Sequence, residues 1–352
     1  MRTYCLAMSA LLATCVMSWA QTFQAVPIND LGAASYRGYQ GGLYENGTNV
    51  VPADHLADGQ SLNSQIANGT RFVFLGIGMS DAENAFTSFQ SLVNTTLGLD
   101  PNMTLIVGGQ GSQNACEWAY ATGTPAQNGC PLGTGSNLTN PYDVVITRLA
   151  PSNCGLKGHQ ACFSEADVRV VLYYDADSCR LVPHCYTLPD SRADAFTQEK
   201  YDGMMARAVK ARYPNCQKLF IVSRQYGGYS TVNINPEPEA YENGFSAKWA
   251  IQAQIHQVRT GVIDPIAGDL SYASAPWIAW GPYTWASGET PRSDGQIWCQ
   301  GQQDTVCNGE LDFQPDGTHL SRGVGQGKWS AMALGFFETE PWFLAAPGEI
   351  RP

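Results

Sequence analysis

Charge is what this chain has least of. Only 14% of its 352 residues are Asp, Glu, Lys or Arg, well below the ~25% of ordinary domains. The balance is acidic, at −11, and lysine and arginine nowhere cluster. Nucleic acid and anionic membrane surfaces both need a basic footprint, so neither is an expected partner. Beyond the first 20 residues no apolar run reaches the roughly 18 residues that span a bilayer, so no membrane insertion is expected. Also missing are H-E-x-x-H, Walker A, G-x-S-x-G and C-x-x-C motifs, which removes the commonest zinc, nucleotide and α/β-hydrolase signatures. Gly323-Val324-Gly325-Gln326-Gly327-Lys328 has neither the spacing nor the final Ser/Thr of a phosphate loop. No cofactor and no metal are expected, and no repeat is visible.

In place of charge the chain carries apolar and aromatic mass: 44% hydrophobic residues, with 9 Trp and 16 Tyr. That suffices for a core and fits an extracellular protein with weakly charged, aromatic clefts. Residues 1–20 read as a signal peptide. Arg2 is the positive start, an apolar stretch follows from Leu6 to Val16, and Ser18-Trp19-Ala20 supplies small residues for cleavage. Cys15 invites a lipid-anchor reading, but Thr14 precedes it poorly and the apolar run would be cut short. The expected location is secreted, extracellular or periplasmic.

Export bears on the cysteines. Of 11, nine remain without Cys5 and Cys15, and their spacing groups Cys116–Cys130, Cys154–Cys162, Cys179–Cys185 and Cys299–Cys307, with Cys216 left over. Spacing does not fix connectivity, and Cys179 or Cys185 can pair with Cys216 instead. Disulfides are the expectation in an oxidising compartment; such short loops pin insertions rather than create a core. Asn46, Asn68, Asn94, Asn102 and Asn137 head N-x-S/T sequons, which matter only in a eukaryotic secretory pathway.

Residues 21–63, rich in Gly, Asn and Ala without periodicity, read as an extended arm, followed by a single domain over 64–345 and a tail over 346–352. Apolar runs at 71–75, 104–107, 168–174, 219–222 and 277–280 read as strands one to five. Helical spacing at 82–92, 197–213, 244–258 and 329–337 alternates with them. Residues 112–140 read as an insertion loop. Alternating strands and helices argue a three-layer α/β/α sandwich around a mainly parallel five-stranded sheet. Ligands in such folds sit beyond the carboxyl ends of the strands, where three loops converge: Ser80 after strand one, Gly109-Gln110-Gly111 after strand two, and Arg224-Gln225-Tyr226 after strand four.

Two segments carry chemistry. In Asp316-Gly317-Thr318-His319-Leu320-Ser321 an acid stands three residues before a histidine, so a single turn can hold the imidazole in one tautomer. In Gly76-Ile77-Gly78-Met79-Ser80-Asp81 a serine directly follows an apolar strand. Ser80 as nucleophile, His319 as base and Asp316 as orienter make a triad in the order Ser, Asp, His. The backbone N–H groups of Ser80 and Gly111 are the expected oxyanion donors, glycine permitting close approach.

The closing block, with Gly325, Lys328 and Phe336-Phe337, resembles the last conserved block of the SGNH (GDSL-type) hydrolases over about residues 64–340 in element order. The resemblance implies the flavodoxin-like SGNH fold, Ser80 as nucleophile, Asp316 and His319 as partners, and Gly111 or Gly109 as oxyanion donor. Two departures stand out. The first block reads Gly78-Met79-Ser80-Asp81 rather than Gly-Asp-Ser. After strand four the family's Gly-x-Asn-Asp is replaced by Ser223-Arg224-Gln225-Tyr226-Gly227-Gly228-Tyr229, so the side-chain amide donor is missing. Arg224 or Gln225 can substitute, although an arginine can equally pair with a carboxylate. Residues 233–242, Trp280-Gly281-Pro282-Tyr283 and Arg292-Ser293-Asp294-Gly295 resemble a subgroup of exported bacterial SGNH-like proteins with no assigned substrate. Glu237, Glu239 and Glu242 either bind polar substrate or cap the following helix, capping being the commoner use of acids there.

Gln110, Gln225, Tyr226, Trp280 and Tyr283 are the expected substrate-binding residues. About half of the group Trp277, Trp280, Tyr283, Trp285 and Trp298 is expected in the core, with the others free to stack on sugar rings or hold an acyl group. The leading expectation is a carboxylic-ester hydrolase removing acetyl or other small acyl groups from carbohydrate. Its alternatives are a non-catalytic carbohydrate-binding or surface protein on the same fold, and an exported lipase or polyester hydrolase.

Overall fold

Five apolar runs form one sheet: β1 (Phe72–Gly78), β2 (Met103–Val107), β3 (Val168–Tyr174), β4 (Lys218–Ile221) and β5 (Trp277–Trp280). The computed structural model describes residues 23–131, 138–177, 185–232 and 234–345. Every adjacent strand pair is parallel, in the order β2-β1-β3-β4-β5. The strands are apolar throughout rather than alternating because both faces are covered. Helix α1 (Ser80–Thr95) packs on α5 (Val324–Phe337), and α3 (Asp194–Arg212) packs on α4 (Glu239–Thr260); the shorter α2 (Pro141–Leu149) lies near β2. Right-handed crossovers with this strand order send α1 to one face and α3 and α4 to the other. The three-layer arrangement is thus the expected one, and the sheet is wholly parallel. Phe74 of β1 meets Phe89 of α1 and Phe337 of α5 edge-on, and Phe337 meets Phe220 of β4.

The strand order reverses at β1, whose neighbours β2 and β3 are reached in opposite directions. Loops diverge there and leave a crevice at the carboxyl ends of the strands.

The amino-terminal arm differs from expectation. It holds helices at Ile28–Leu31, Ala53–Ser61 and Asn63–Ile66 and a hairpin of Ser35–Tyr36 with Tyr39–Gln40. Its glycines reflect close packing rather than looseness: a Cβ on Gly59 would sit 2.5 Å from the Trp277 ring. The arm also guards the β5 edge. Trp277 Nε1 donates to the His55 carbonyl at 2.8 Å, and Trp280 Nε1 donates to the Leu43 carbonyl at 2.7 Å. The outer backbone groups of Ile278 are taken by side chains, its carbonyl by His55 Nε2 at 2.8 Å and its N–H by Gln254 Oε1 at 2.6 Å. Edge groups satisfied in this way offer no template to another strand.

Cys116–Cys130, Cys154–Cys162 and Cys299–Cys307 are bonded as expected, and Cys216 is free and buried. Such bridges belong to oxidising compartments. Cys179, the signal peptide and the tail lie outside the described residues. No helix among the described residues is long and apolar enough to cross a membrane.

Several acids lie inside. Burial raises Glu117 and Glu199 to about 8 and Glu237 to about 7. A carboxyl whose folded pKa lies above its unfolded value of about 4.3 contributes stability that is complete below that value. That stability is lost as pH rises through 7 to 8. The melting temperature is therefore expected to be several degrees higher at about pH 5.5 than at about pH 8.5. Calorimetry in metal-free buffer showing an equal or higher value at the alkaline pH would contradict this.

Candidate active site

The site begins with a glycine. Gly78 ends β1 at φ +137°, and a Cβ there would lie 2.1 Å from the Tyr174 carbonyl oxygen of β3. Only glycine lets the chain pass β3 this closely and turn at once into a helix. Ser80 is consequently the first residue of α1, and its N–H is one of the first-turn donors that no intrahelical acceptor satisfies.

The Asp316–His319 turn is equally determined. Gly317 adopts φ +67°, and a Cβ there would stand 1.8 Å from the Tyr229 carbonyl oxygen. Asp316 Oδ1 accepts the Thr318 and His319 backbone N–H groups, each at 3.0 Å. Its Oδ2 is left to accept His319 Nδ1–H at 2.6 Å. With the proton on Nδ1, the Nε2 lone pair accepts the Ser80 hydroxyl at 2.7 Å. Burial by itself raises the Asp316 pKa, but the histidine and the two N–H donors outweigh it and the net shift is downward. The carboxylate thus stays an acceptor that favours an imidazolium once His319 takes a proton. Residues 80, 316 and 319 therefore meet in the arrangement their order and spacing suggested.

Asp81, which sequence reading passed over, holds the three segments together. Its buried carboxylate accepts Arg224 Nη2 at 2.5 Å and Gln225 Nε2 at 3.0 Å through Oδ2, and the Leu320 N–H at 3.4 Å through Oδ1. The Arg224 and Asp81 side chains are only 2% and 1% exposed, and the guanidinium lies over the Tyr174 ring at 5.1 Å. Burial lowers the Arg224 pKa, yet the neighbouring Asp81 charge outweighs it and the net direction is upward. Gln225 also donates to the Thr318 carbonyl at 2.7 Å, next to His319, and accepts the Tyr174 hydroxyl. Thr231 N–H donates to the Asp316 carbonyl at 2.9 Å, and Ser230 and Thr318 share a hydroxyl contact at 2.7 Å. The only sequence signal for Asp81 was an acid in a helix first turn, which ordinarily reads as a partner of the helix dipole.

Other expectations are corrected. Gln225 is taken up by Asp81, Thr318 and Tyr174, and Arg224 gives Nη2 to Asp81 while its Nε and Nη1 stay buried without an acceptor, so neither side chain presents a donor at the surface of the site. Gly111 N–H donates to Glu83 Oε2 at 3.2 Å, so a carboxylate one turn after Ser80 occupies the expected second oxyanion donor. Glu83 is partly exposed and lies 3.7 Å from Arg148. Gly109, the other candidate, is wedged against the same turn, where a Cβ would stand 2.5 Å from Glu83 N. Gln110 is buried and turned inward, donating to the Pro141 carbonyl at 2.9 Å. Tyr226 is buried with its hydroxyl on the Phe23 carbonyl at 2.9 Å, and Tyr283 is buried with its hydroxyl accepting the Ile28 N–H at 3.0 Å. Trp277, Trp280, Trp285 and Trp298 are buried as well; their indoles fill the core instead of forming a stacking platform. Glu237 binds the Gly227 and Tyr241 N–H groups and Trp285 Nε1 at 2.7–3.0 Å, and Glu242 binds Tyr36 and the Leu188 N–H. Those two acids are structural.

The sequence matches no family model and no curated protein.

Removing one member of a buried ion pair leaves the other uncompensated. Asp81→Ala is expected to lower the unfolding free energy by about 3–5 kcal/mol, and Asp81→Leu combined with Arg224→Met by clearly less. Urea unfolding that finds the single variant within about 1 kcal/mol of wild type would show the pair to be dispensable.

Proposed function

We propose that this protein is an exported serine hydrolase that cleaves carboxylic esters, namely O-acetyl or other small acyl esters of carbohydrate. The observation that carries the reading is the unbroken relay from Ser80 through His319 to Asp316, with contacts of 2.7 and 2.6 Å. The resemblance of the two terminal blocks to SGNH hydrolases supports it.

In this reading Ser80 Oγ attacks the acyl carbon while His319 Nε2 takes its proton. The carbonyl oxygen becomes an oxyanion facing the Ser80 N–H. His319 then gives the proton to the leaving alcohol oxygen and the C–O bond breaks. Water, deprotonated by the same nitrogen, releases the acid from the acyl-enzyme. Asp316 holds the ring throughout. The His319 side chain is 20% exposed, so the relay is open to solvent and to substrate. The carbohydrate half of the proposal rests on the export signal and the scarcity of charge, because Trp277, Trp280, Tyr283, Trp285 and Trp298 are buried and offer no stacking face.

A second reading, a non-catalytic carbohydrate-binding or surface protein, is favoured by one observation: the Gly111 N–H is engaged by Glu83. An oxyanion hole short of one donor loses about 3 kcal/mol of transition-state stabilisation.

Turnover of p-nitrophenyl acetate is expected to fall by roughly 10³-fold or more in Ser80→Ala, and a fluorophosphonate probe should label wild type at Ser80 alone. Equal rates in the two proteins, or no labelling of the folded wild type, would end the hydrolase reading in favour of the second.

Glu83→Ala releases the Gly111 N–H and removes a negative charge beside the forming oxyanion. It is expected to raise kcat on the same ester by about tenfold. An unchanged kcat in a protein still labelled at Ser80 would exclude Gly111 as a donor.

A further inference from the structure

A second cluster of polar groups lies beyond the carboxyl end of β3, where the first turns of α3 and α4 face one another. Asp177, Asp194, Asn235, Glu239 and Glu242 line a small cavity there. The space open to a water-sized sphere is about 20 Å³, room for a single small occupant.

Three acceptor atoms in this lining are buried and receive no hydrogen bond: Asp194 Oδ2, Glu239 Oε2 and Asn235 Oδ1. Asn235 is only 4% exposed. Its amide orientation is determined, because Nδ2 donates to the Asp177 carbonyl at 2.7 Å and a flipped amide would set oxygen against oxygen. The orphan atom is therefore the carbonyl oxygen. Carboxylate oxygens of Asp194 and Glu239 approach within 4.8 Å of one another. Among the described residues no lysine or arginine lines the cavity; Glu242 is paired outward with Arg37 at 3.4 Å. Asp194 and Glu239 are each repelled by Asp177 and Glu242.

With both carboxyls ionised every orphan here is an oxygen acceptor, so the partner that satisfies all three is electropositive; burial and repulsion from neighbouring carboxylates raise both carboxyl pKa values, and a bound cation removes that cost. Water would meet acceptors only, donating at most two bonds to three atoms. The helix N-termini contribute roughly +0.5 charge each, less than the two carboxylates standing on them. The Cys185 sulfur lies among these atoms but is disulfide-bonded and offers no thiolate, which disfavours soft metals. Carboxylate and amide oxygens are the ligands of hard cations.

We propose that Asp194, Glu239 and the Asn235 side-chain carbonyl bind one hard divalent cation of the calcium class, stapling the first turns of α3 and α4 together. The proposal does not depend on the hydrolase reading.

The test is calcium titration of the full exported chain after removal of metals with EDTA, followed by calorimetry and thermal unfolding. One saturable equivalent is expected, with a melting temperature several degrees higher in about 1 mM CaCl2 than in EDTA. In Asp194→Asn/Glu239→Gln the repulsion is gone, so the metal-free variant is expected to melt at or above wild type while losing the calcium-dependent rise. No saturable binding and no rise in wild type would overturn the proposal. So would an undiminished rise in the double variant, which would place the binding elsewhere.

Discussion

The buried Asp81 carboxylate is the contact on which the rest of the site depends. It draws donors from Arg224 and Gln225 after β4 and from the Leu320 N–H after the Asp316–His319 turn, while itself standing next to Ser80 in the first turn of α1. Segments separated by more than 200 residues in sequence (Asp81 and Leu320 differ by 239) are thereby fixed to one another. A buried ion pair is weak evidence of net stability, because desolvation offsets most of the attraction. What such a pair supplies is geometry. A carboxylate with several fixed donors tolerates few alternative placements of the loops that carry them, and here those loops bear Ser80 and His319.

This explains why the loop after β4 departs from the expected Gly-x-Asn-Asp block without disturbing the relay. This loop acts on the histidine loop: the Gln225 amide donates to the Thr318 carbonyl, and the Thr231 backbone N–H and hydroxyl both donate to the Asp316 carbonyl. The close backbone approaches at Gly78 and Gly317 add to this rigidity, since each stands where a Cβ would overlap a carbonyl oxygen. Positioning of the relay is therefore built from backbone contacts and amide hydrogen bonds, both largely insensitive to salt, with one buried charge pair at the centre.

The parts of this arrangement legible in the sequence are those written locally. Strands buried on both faces appear as continuous apolar runs, so all five could be located, as could a serine directly after one of them and an acid three residues before a histidine. The remainder depends on non-local packing. Nothing in the spacing of Trp277, Trp280 and Tyr283 reveals that residues 23–66 fold over β5 and against them, because the arm's own helices are short. Nor can a sequence show that Arg224 faces Asp81: β4 and β1 are separated by β3, and the pairing exists only once the sheet has formed. The Glu83–Gly111 contact is non-local in the same way, joining α1 to the loop after β2.

The contrast between the acids at this rim follows from their donors. Asp316 has three donors within 3.0 Å, two from its own turn, so its charge is held in place and its remaining capacity goes to orienting a ring. Glu237 is likewise occupied by three donors, yet desolvation, with the Glu242 charge adding to it, outweighs them and raises its pKa to about 7. Asp194 and Glu239 have the burial without comparable donors. A fold with few lysines and arginines cannot supply each internal acid with a cation of its own, so the acids divide into those that backbone N–H groups satisfy, those that share the few arginines, and those whose oxygens are left facing a cavity. Among the described residues, Asp194 and Glu239 fall in the last group, with buried oxygens left unpaired at the cavity.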